Sequence, residues 1–515
     1  MPRDPLADAL GDATASGADD SRWTDVLVTV DVATSAARAA AFDLEGRRQL
    51  ETRRPYPARS PRPGWAEQDP RAWQSAAIGA LGDLVARLGP RRRVLGIGLT
   101  GQCPTICLVD ARGRPTSPGL MYRDNRAEAE AQAIRDRFGD AWIHGRTGHL
   151  PAAFHIAPKL LWIRDHEPDW LRAASLALQP RDLAALALTG EPATDGSHAA
   201  ATLVFGLRAR AWDPELMDGL GLPVSLFPPV RASWEAVGTV RAPLAATLGL
   251  PAGTPVVLGG ADSQTCALGA GVVRPGPVSE MAGSSTCLNA ALPEPLGELL
   301  VTHYPHVVPG MLTTETGINT TGTAATWVAD LLYGGRRGRA GVADFGRLDG
   351  EAGEVPPGSD GVLAIPVLGD GERTDPDLRA AFTGLSLRHG RGVLARAMLE
   401  GVAYTIREHL ALLEHGGAPV TELRVSGGDA RLDTWNRIKA DVTGVPVTVV
   451  PGDAAVTGVA MLAGIGVGVY RDADEAIARC LRLGDRFDPE PDAQAVYAER
   501  FPAFRALMSA AVTRT

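Results

Sequence analysis

Apolar and polar positions along this chain switch between two periods. Short β-rich apolar runs recur at 26–31 (VLVTVD), 94–99 (VLGIGL), 256–260 (VVLGG) and 423–426 (LRVS). Each ends in a polar or glycine-rich turn, as buried strands do where they open onto loops. Between them the period lengthens to that of a helix. Apolar residues at 73, 77, 81, 84, 85 and 88 predict a helix that Asp69 caps and Pro70 starts. Those at 394, 398, 402, 406, 410 and 413 predict a long amphipathic helix over 391–414. Further helices are expected at about 125–137, 434–443, 454–470 and 472–483. Strands alternating with helices predict an α/β fold, and 515 residues suffice for two sizeable domains. A proline-interrupted stretch sets the expected boundary near 250–256. The division is a disordered tail over 1–22, domains over 23–253 and 254–485, and an extension over 486–515.

Polar residues concentrate where the strands end. Asp31 closes the first run, and Ala33, Thr34 and Ser35 turn the chain into a second strand at 38–43. Such a hairpin tip can offer backbone N–H groups to a phosphate and Asp31 to a metal, although a plain hairpin fits the same residues. Asp262 follows Gly259 and Gly260 at the end of a buried strand, a position suited to a general base, or simply to a helix cap. A second hairpin over 278–289 turns through Gly283, Ser284 and Ser285. Gln102 offers a neutral amide at a strand end, suited to a polyhydroxylated ligand. Arg123 and Asp124 begin a helix and are candidate substrate contacts. The strand at 423–426 runs into Gly427, Gly428 and Asp429, a nucleotide-loop pattern.

Composition narrows the classes. A formal charge of −9 with a pI near 5.7 argues against a nucleic-acid surface. Five cysteines, an odd number without metal or redox spacing, predict free thiols in a reducing compartment. His303 and His306 have no third ligand at metal spacing and read as loop histidines. With neither a signal-peptide core nor a membrane-length apolar run, a cytoplasmic protein with no membrane partner is expected.

Taken together, the motifs resemble the FGGY carbohydrate kinases, most closely the xylulokinase-like branch, over about residues 26–485. The resemblance rests on VTVDVATSAARAAAFD (28–43), GWAEQDPRAW (64–73), IGLTGQCPT (97–105), YRDNRA (122–127) and PRDLAALALTGEPATD (180–195). It continues through LPAGTPVVLGGADSQTCALGAGVVRPG (250–276), GERT (371–374), GLSLRHGRGVLARAMLEGVAY (384–404) and SGGDARLDTWNRIKADVTGVPV (426–447). It implies two actin-like, ribonuclease-H-like domains with an interdomain cleft, ATP and Mg2+ in the cleft, and transfer of the γ-phosphoryl to a sugar or polyol hydroxyl. Asp262 falls on the catalytic aspartate and Asp31 on the metal aspartate. Thr34, Ser35 and Arg38, with Gly283, Ser284 and Ser285, fall on the phosphate regions. Gly427, Gly428, Asp429, Arg431 and Asn436 fall on the adenosine region. Gln102, Cys103, Arg123, Asp124, Asp262 and Ser263 fall on the sugar side.

The chain departs from the family pattern at several of these places. Ala33 replaces a glycine in D-x-G-T, Cys103-Pro104-Thr105 replaces M-H-G, Ser263 replaces asparagine, and Asp429 replaces a third glycine. The implied activity is phosphorylation of a ketopentose such as D-xylulose to the 5-phosphate. The alternatives are erythritol, an arabinitol or ribulose as substrate, or a catalytically impaired sugar-binding relative. A homodimer is the assembly that the family suggests.

Overall fold

The computed structural model describes residues 25–89, 92–334, 344–369, 372 and 377–511. The expected tail, the start of order at Trp23, the arginine-rich tract after Gly334 and most of the 369–377 loop lie outside the described residues.

Two mixed sheets organise the chain. The first holds β1 (Asp25–Val32), β2 (Ala36–Phe42), β3 (Arg48–Pro55), β4 (Arg93–Gly101), β5 (Ala236–Thr239) and β6 (Pro255–Ala261), in the order β5-β6-β4-β1-β2-β3. The second holds β7 (Gly276–Ala282), β8 (Thr286–Leu292), β9 (Thr302–Pro305), β10 (Leu312–Ile318), β11 (Val420–Gly427), β12 (Val447–Val449) and β13 (Arg486–Phe487). Its order is β9-β10-β8-β7-β11-β12-β13. The two cores repeat one plan. An antiparallel meander, β1-β2-β3 or β7-β8-β10, is extended by two parallel strands, β4 and β6 or β11 and β12. This is the pair of ribonuclease-H-like α/β domains that the sequence implied.

Helix α1 (Pro70–Leu88) covers the first sheet, capped by Asp69 as its sequence predicts. Trp73, Ala77, Leu81 and Leu84 bury its apolar stripe against Val28, Val30, Ala39 and Ala41. Helix α2 (Asp262–Gly269) leaves β6 directly. Helices α3 (Gly322–Tyr333), α4 (Arg391–His415) and α5 (Asp433–Thr443) pack on the second sheet around Leu399, Val402, Trp435 and Ile438. Helix α6 (Ala454–Gly466) crosses back to the first domain, where Val456 and Ala460 meet Ala40 and Phe42. Its crossing with α2 is close. A Cβ on Gly458 would lie 1.9 Å from the Thr265 carbonyl, and one on Gly269 would lie 1.8 Å from that of Ala454. Only glycine lets these two helices touch through their backbones.

Three expectations change. Strand β6, assigned to the head of the second domain, pairs parallel with β4 and belongs to the first sheet; its apolar run fits a central strand of either half. The region after 486 supplies the edge strand β13 and helix α7 (Pro491–Ala510), whose Tyr497 and Phe504 are fully buried. It is part of the second domain's core rather than an appendage. His303 and His306 are buried, with His303 Nδ1 against Thr314 Oγ1 (3.0 Å) and His306 Nε2 against the Val272 carbonyl (2.9 Å). None of the five cysteines forms a disulfide. Among the described residues no helix is long and apolar enough to cross a membrane.

Candidate active site

Sheet register brings the separated motifs to one edge. Val32 of β1 and Ala261 of β6 both pair with Gly101 of β4. The Ala33–Ser35 turn, Gln102 and Asp262 therefore leave three adjacent parallel strands side by side. In the second sheet Ala282 pairs with Gly427, so the Gly283–Ser285 turn lies beside the Gly427-Gly428 turn. Gly427 has φ +101, and a Cβ there would lie 2.0 Å from the Ala282 carbonyl, so the approach of these turns requires glycine. Gly259, at φ +70, forms the irregularity in β6 just before Asp262, and a Cβ on it would meet Leu99 O at 1.7 Å.

Both hairpin turns are held by their carbonyls. In the first, the Ala33 carbonyl accepts from Tyr56 Oη, that of Thr34 from Gln68 Nε2 (2.7 Å) and that of Ser35 from Tyr56 N (3.1 Å). In the second, the Gly283 and Ser284 carbonyls accept from the N–H groups that open α3. These bonds are Gly322 N to Gly283 O (3.1 Å), and Thr321 N and Thr323 N to Ser284 O (3.2 Å each). Helix α3 lacks a side-chain cap, and the turn takes that place. With carbonyls anchored behind them, the exposed Ser35, Ser284 and Ser285 backbones are suited to face an anion.

A charged cluster links the halves. Asp31 is buried and receives Arg38 through one oxygen, Oδ2, from Nη2 (2.6 Å) and Nε (3.1 Å). Arg38 Nη1 also donates to Asp453 Oδ2 (2.8 Å), the residue that caps α6 through the Val456 N–H. Burial raises the Asp31 pKa and Arg38 opposes the rise. At Asp453 burial acts in the same sense, but Arg38 and the Val456 amide outweigh it and hold that carboxylate below its usual range.

Asp262 is partly exposed at the first turn of α2. Burial, followed by the charges of Asp31, Glu315 and Asp453, pushes its pKa up to about 7, against the Ser263 N–H, which donates to Oδ1 (2.9 Å). Ser263 Oγ turns away to donate to Glu315 Oε2 (2.6 Å) on β10. Cys103 is half-buried beside this cluster, its thiol pushed well up by burial and by the charges of Asp262 and Asp195. Asp195 supports the strand that delivers Asp262. It accepts from Arg181 Nη2 (2.7 Å), Ser197 Oγ (2.6 Å) and Ser233 Oγ (2.9 Å), while Ala261 N donates to Ser197 Oγ (2.9 Å).

Other expected contacts sit differently. Gln102 is buried, with Nε2 donating to Gln68 Oε1 (2.8 Å) and Oε1 accepting from Thr105 Oγ1 (3.2 Å). Asp124, expected to meet the sugar, is fully buried. Its oxygens accept from Ala66 N (2.5 Å) and from Arg126 Nε and Nη2 (2.8 Å each). Arg126 also pairs with Glu67 (2.7 Å) and stacks on Trp65, so Asp124, Trp65 and Glu67 brace a loop against the Arg126 guanidinium. Arg123 and Arg431 are exposed. Asp429 is buried below the Gly428 turn, and Asn436 Nδ2 donates to the Ala430 carbonyl (2.9 Å).

Gln68, Tyr56, Asp453 and Glu315 were not singled out from the sequence. Only Gln68 carried a local signal, since it lies in the GWAEQDP segment that bears the family resemblance.

Comparisons with known proteins cover both domains. The model of the FGGY family of carbohydrate kinases, N-terminal domain, matches residues 26–269, and that of the C-terminal domain matches 279–467. The xylulose kinase of Rhodospirillum rubrum superposes with a TM-score of 0.85 at 33% identity, covering 94% of this chain and 98% of its own. The autoinducer-2 kinase of Yersinia enterocolitica is 31% identical over 494 residues, 92% of each chain. The xylulose kinase of Bacillus subtilis is 26% identical over 486 residues, 93% of this chain and 96% of its own. With both domain models matched in order over most of its length, the chain belongs to the FGGY family of carbohydrate kinases.

Proposed function

We propose that this carbohydrate kinase transfers the γ-phosphoryl group of ATP to a terminal hydroxyl of a ketopentose, with D-xylulose as the leading substrate. The observation that carries the reading is Asp262, a partly exposed carboxylate held at about 7 where the first sheet meets the second. A hydroxyl is a weak nucleophile, and a base with a pKa near neutrality can orient it and take its proton as transfer proceeds. The Thr34–Ser35 and Ser284–Ser285 amides are the donors for phosphate oxygens, each worth about 3 kcal/mol when well placed. The Gly427-Gly428 turn, with Asp429 and Asn436 behind it, is the support for the adenosine.

The residues also fit Mg2+. Asp31 and Asp453 share one guanidinium, and Asp262 adds its charge beside Asp31, which leaves an excess of negative charge. Arg38 takes Asp31 through a single oxygen. No group of three or more His, Cys, Asp or Glu among the described residues is arranged to hold a metal. The Asp31 oxygen that Arg38 leaves is the one that would serve a cation held by one carboxylate, water and phosphate. When bound, the ion would neutralise phosphate charge, with Asp31 as its protein ligand.

The xylulose kinases among the relatives support the ketopentose reading. A second reading has its own support: the autoinducer-2 kinases are 31% identical, and Pro104 stands where the xylulokinase pattern has histidine. A panel of D-xylulose, ribulose, erythritol, arabinitol and autoinducer-2, scored as phosphorylated product with ATP and Mg2+, tests both. The ketopentose reading predicts the highest kcat/KM with D-xylulose. Product from autoinducer-2 alone would replace it with the second reading.

A further inference from the structure

A line of hydrogen bonds runs from the sugar side of the site to the first phosphate turn. Tyr122 N donates to Thr105 Oγ1 (3.1 Å), and Thr105 Oγ1 donates to Gln102 Oε1 (3.2 Å). Gln102 Nε2 then donates to Gln68 Oε1 (2.8 Å), and Gln68 Nε2 donates to the Thr34 carbonyl (2.7 Å). Trp73 Nε1 supplies a second donor to Gln68 Oε1 (2.9 Å). An indole N–H can only donate, so it fixes which end of the Gln68 amide is the oxygen. That orientation leaves Gln68 Nε2 for Thr34 and requires Gln102 to present its own Nε2. The direction of the line is therefore set by chemistry. Gln68, Trp73, Gln102 and Thr105 are all buried, where aligned bonds polarise one another and an unpaired amide is costly.

The two ends of the line differ in character. Tyr122 and Arg123 lie on an exposed loop, and Gln102 keeps one N–H beyond the bond to Gln68. The other end is the carbonyl of the turn whose amides face the phosphate position. We propose that Gln68 is a positioning residue that couples occupancy of the sugar site to the setting of the Thr34 turn. A hydroxyl that engages Gln102 or the 121–124 loop shifts the line, and Gln68 passes the shift to Thr34. The turn is then set for transfer only when an acceptor other than water is present. The proposal rests on the kinase reading of this site, and it extends that reading to regulation.

The test is the stimulation of ATP consumption by sugar, the rate with a saturating sugar divided by the rate without it. Gln68→Glu keeps an acceptor for Trp73 and Gln102 but, when ionised, cannot donate to Thr34. Stimulation by the best sugar of the panel is expected to fall at least tenfold, through kcat, with the KM for sugar and for ATP within threefold of wild type. Thr105→Val breaks the same line two bonds earlier and is expected to reproduce the split, which guards against a Gln68 variant that fails to fold. Thr52→Val removes a buried side-chain hydrogen bond outside the line, from Thr52 Oγ1 to the Ala80 carbonyl (2.6 Å), and is expected to retain the stimulation ratio. A Gln68→Glu protein stimulated as strongly as wild type would overturn the relay alone, as would a loss appearing only in the KM for sugar. A wild-type protein stimulated by no sugar of the panel would overturn the relay and the function together.

Discussion

Asp262→Asn should make this protein more stable and inactive at once. The substitution keeps the shape of the side chain and the oxygen that accepts the Ser263 N–H, and removes only the charge. In the folded protein burial and the charges of Asp31, Glu315 and Asp453 raise the Asp262 pKa from 3.8 to about 7. That rise corresponds to a ceiling of about 4 kcal/mol for keeping the group ionised above neutrality. Partial exposure screens it, so we expect about 2 kcal/mol. The sign follows from proton binding. Between about 4 and 7 the folded state holds a proton that the unfolded chain has released, so this group lowers stability as pH rises through that window. The asparagine variant has no such slope. Melting temperatures of both proteins without ligand should converge near pH 4, diverge up to pH 7 and then run parallel, the variant a few degrees higher. ATP-dependent phosphorylation by the variant should fall by at least a thousandfold, since the acceptor proton has no base. A melting difference that does not change with pH would refute the electrostatic argument. Turnover within tenfold of wild type would refute the base assignment.

The same carboxylate predicts an acid limb. Asp262 must be unprotonated to accept a proton, so kcat/KM should fall below a pH of about 7 with unit slope, and a profile flat to pH 5 would exclude this base. Arg38→Ala leaves Asp31 and Asp453 facing each other without their shared cation. The side chain is 30% exposed, so the cost should be about 1–3 kcal/mol, below that of a fully buried pair, with a larger loss of turnover. Equal melting and activity to wild type would deny the link a role. Gly458→Ala places a Cβ 1.9 Å from the Thr265 carbonyl and must push α6 from α2, whose first residue is Asp262. It should cost about 1–3 kcal/mol and reduce kcat although residue 458 is itself none of the proposed contacts; a full kcat with a lowered melting temperature would show that the crossing only stabilises.

What the sequence reveals and what it hides divide along a physical line. The strand ends, the hairpin turns and the Asp69 cap are local events, written in periodicity and turn chemistry over a few residues, and they appear where expected. Asp262 was legible because a buried strand must stop before a polar residue. The partners were not. Arg38 and Asp453 lie 415 positions apart, and their bond exists only because α6 returns to the first sheet. Asp124 reads as an accessible acid on a polar helix start, yet Arg126, two residues on, folds over it and Trp65 closes the pocket. No pattern within a segment distinguishes an acid facing solvent from one facing a guanidinium that another loop helps to bury. β6 was misassigned for a related reason, since its apolar run fits a central strand of either sheet and only pairing decides between them.

The duplicated core explains why two such hairpin turns exist, and their unlike anchoring explains how they can differ in use. Each turn joins the first two strands of its meander, so the same fold supplies both. The second is tied by three backbone N–H groups at the start of α3, which stay whatever side chains are exchanged, with the Thr321 and Thr323 hydroxyls adding to the same carbonyls. The first has one backbone tie, Tyr56 N to the Ser35 carbonyl, while its Ala33 and Thr34 carbonyls are held by the side chains of Tyr56 and Gln68, and the Gln68 tie continues to Gln102 and the loop at 121–124. A backbone anchor is set once on folding, whereas a chain of side-chain amides can respond to what binds at its far end. The fixed turn therefore suits the donor, which every turnover requires, and the adjustable turn suits discrimination between sugar and water. On this argument side-chain changes in the second turn should alter handling of all acceptors alike. Changes along the Gln68 line should alter the ratio of sugar phosphorylation to ATP hydrolysis, and equal ratios in both sets of variants would refute the division.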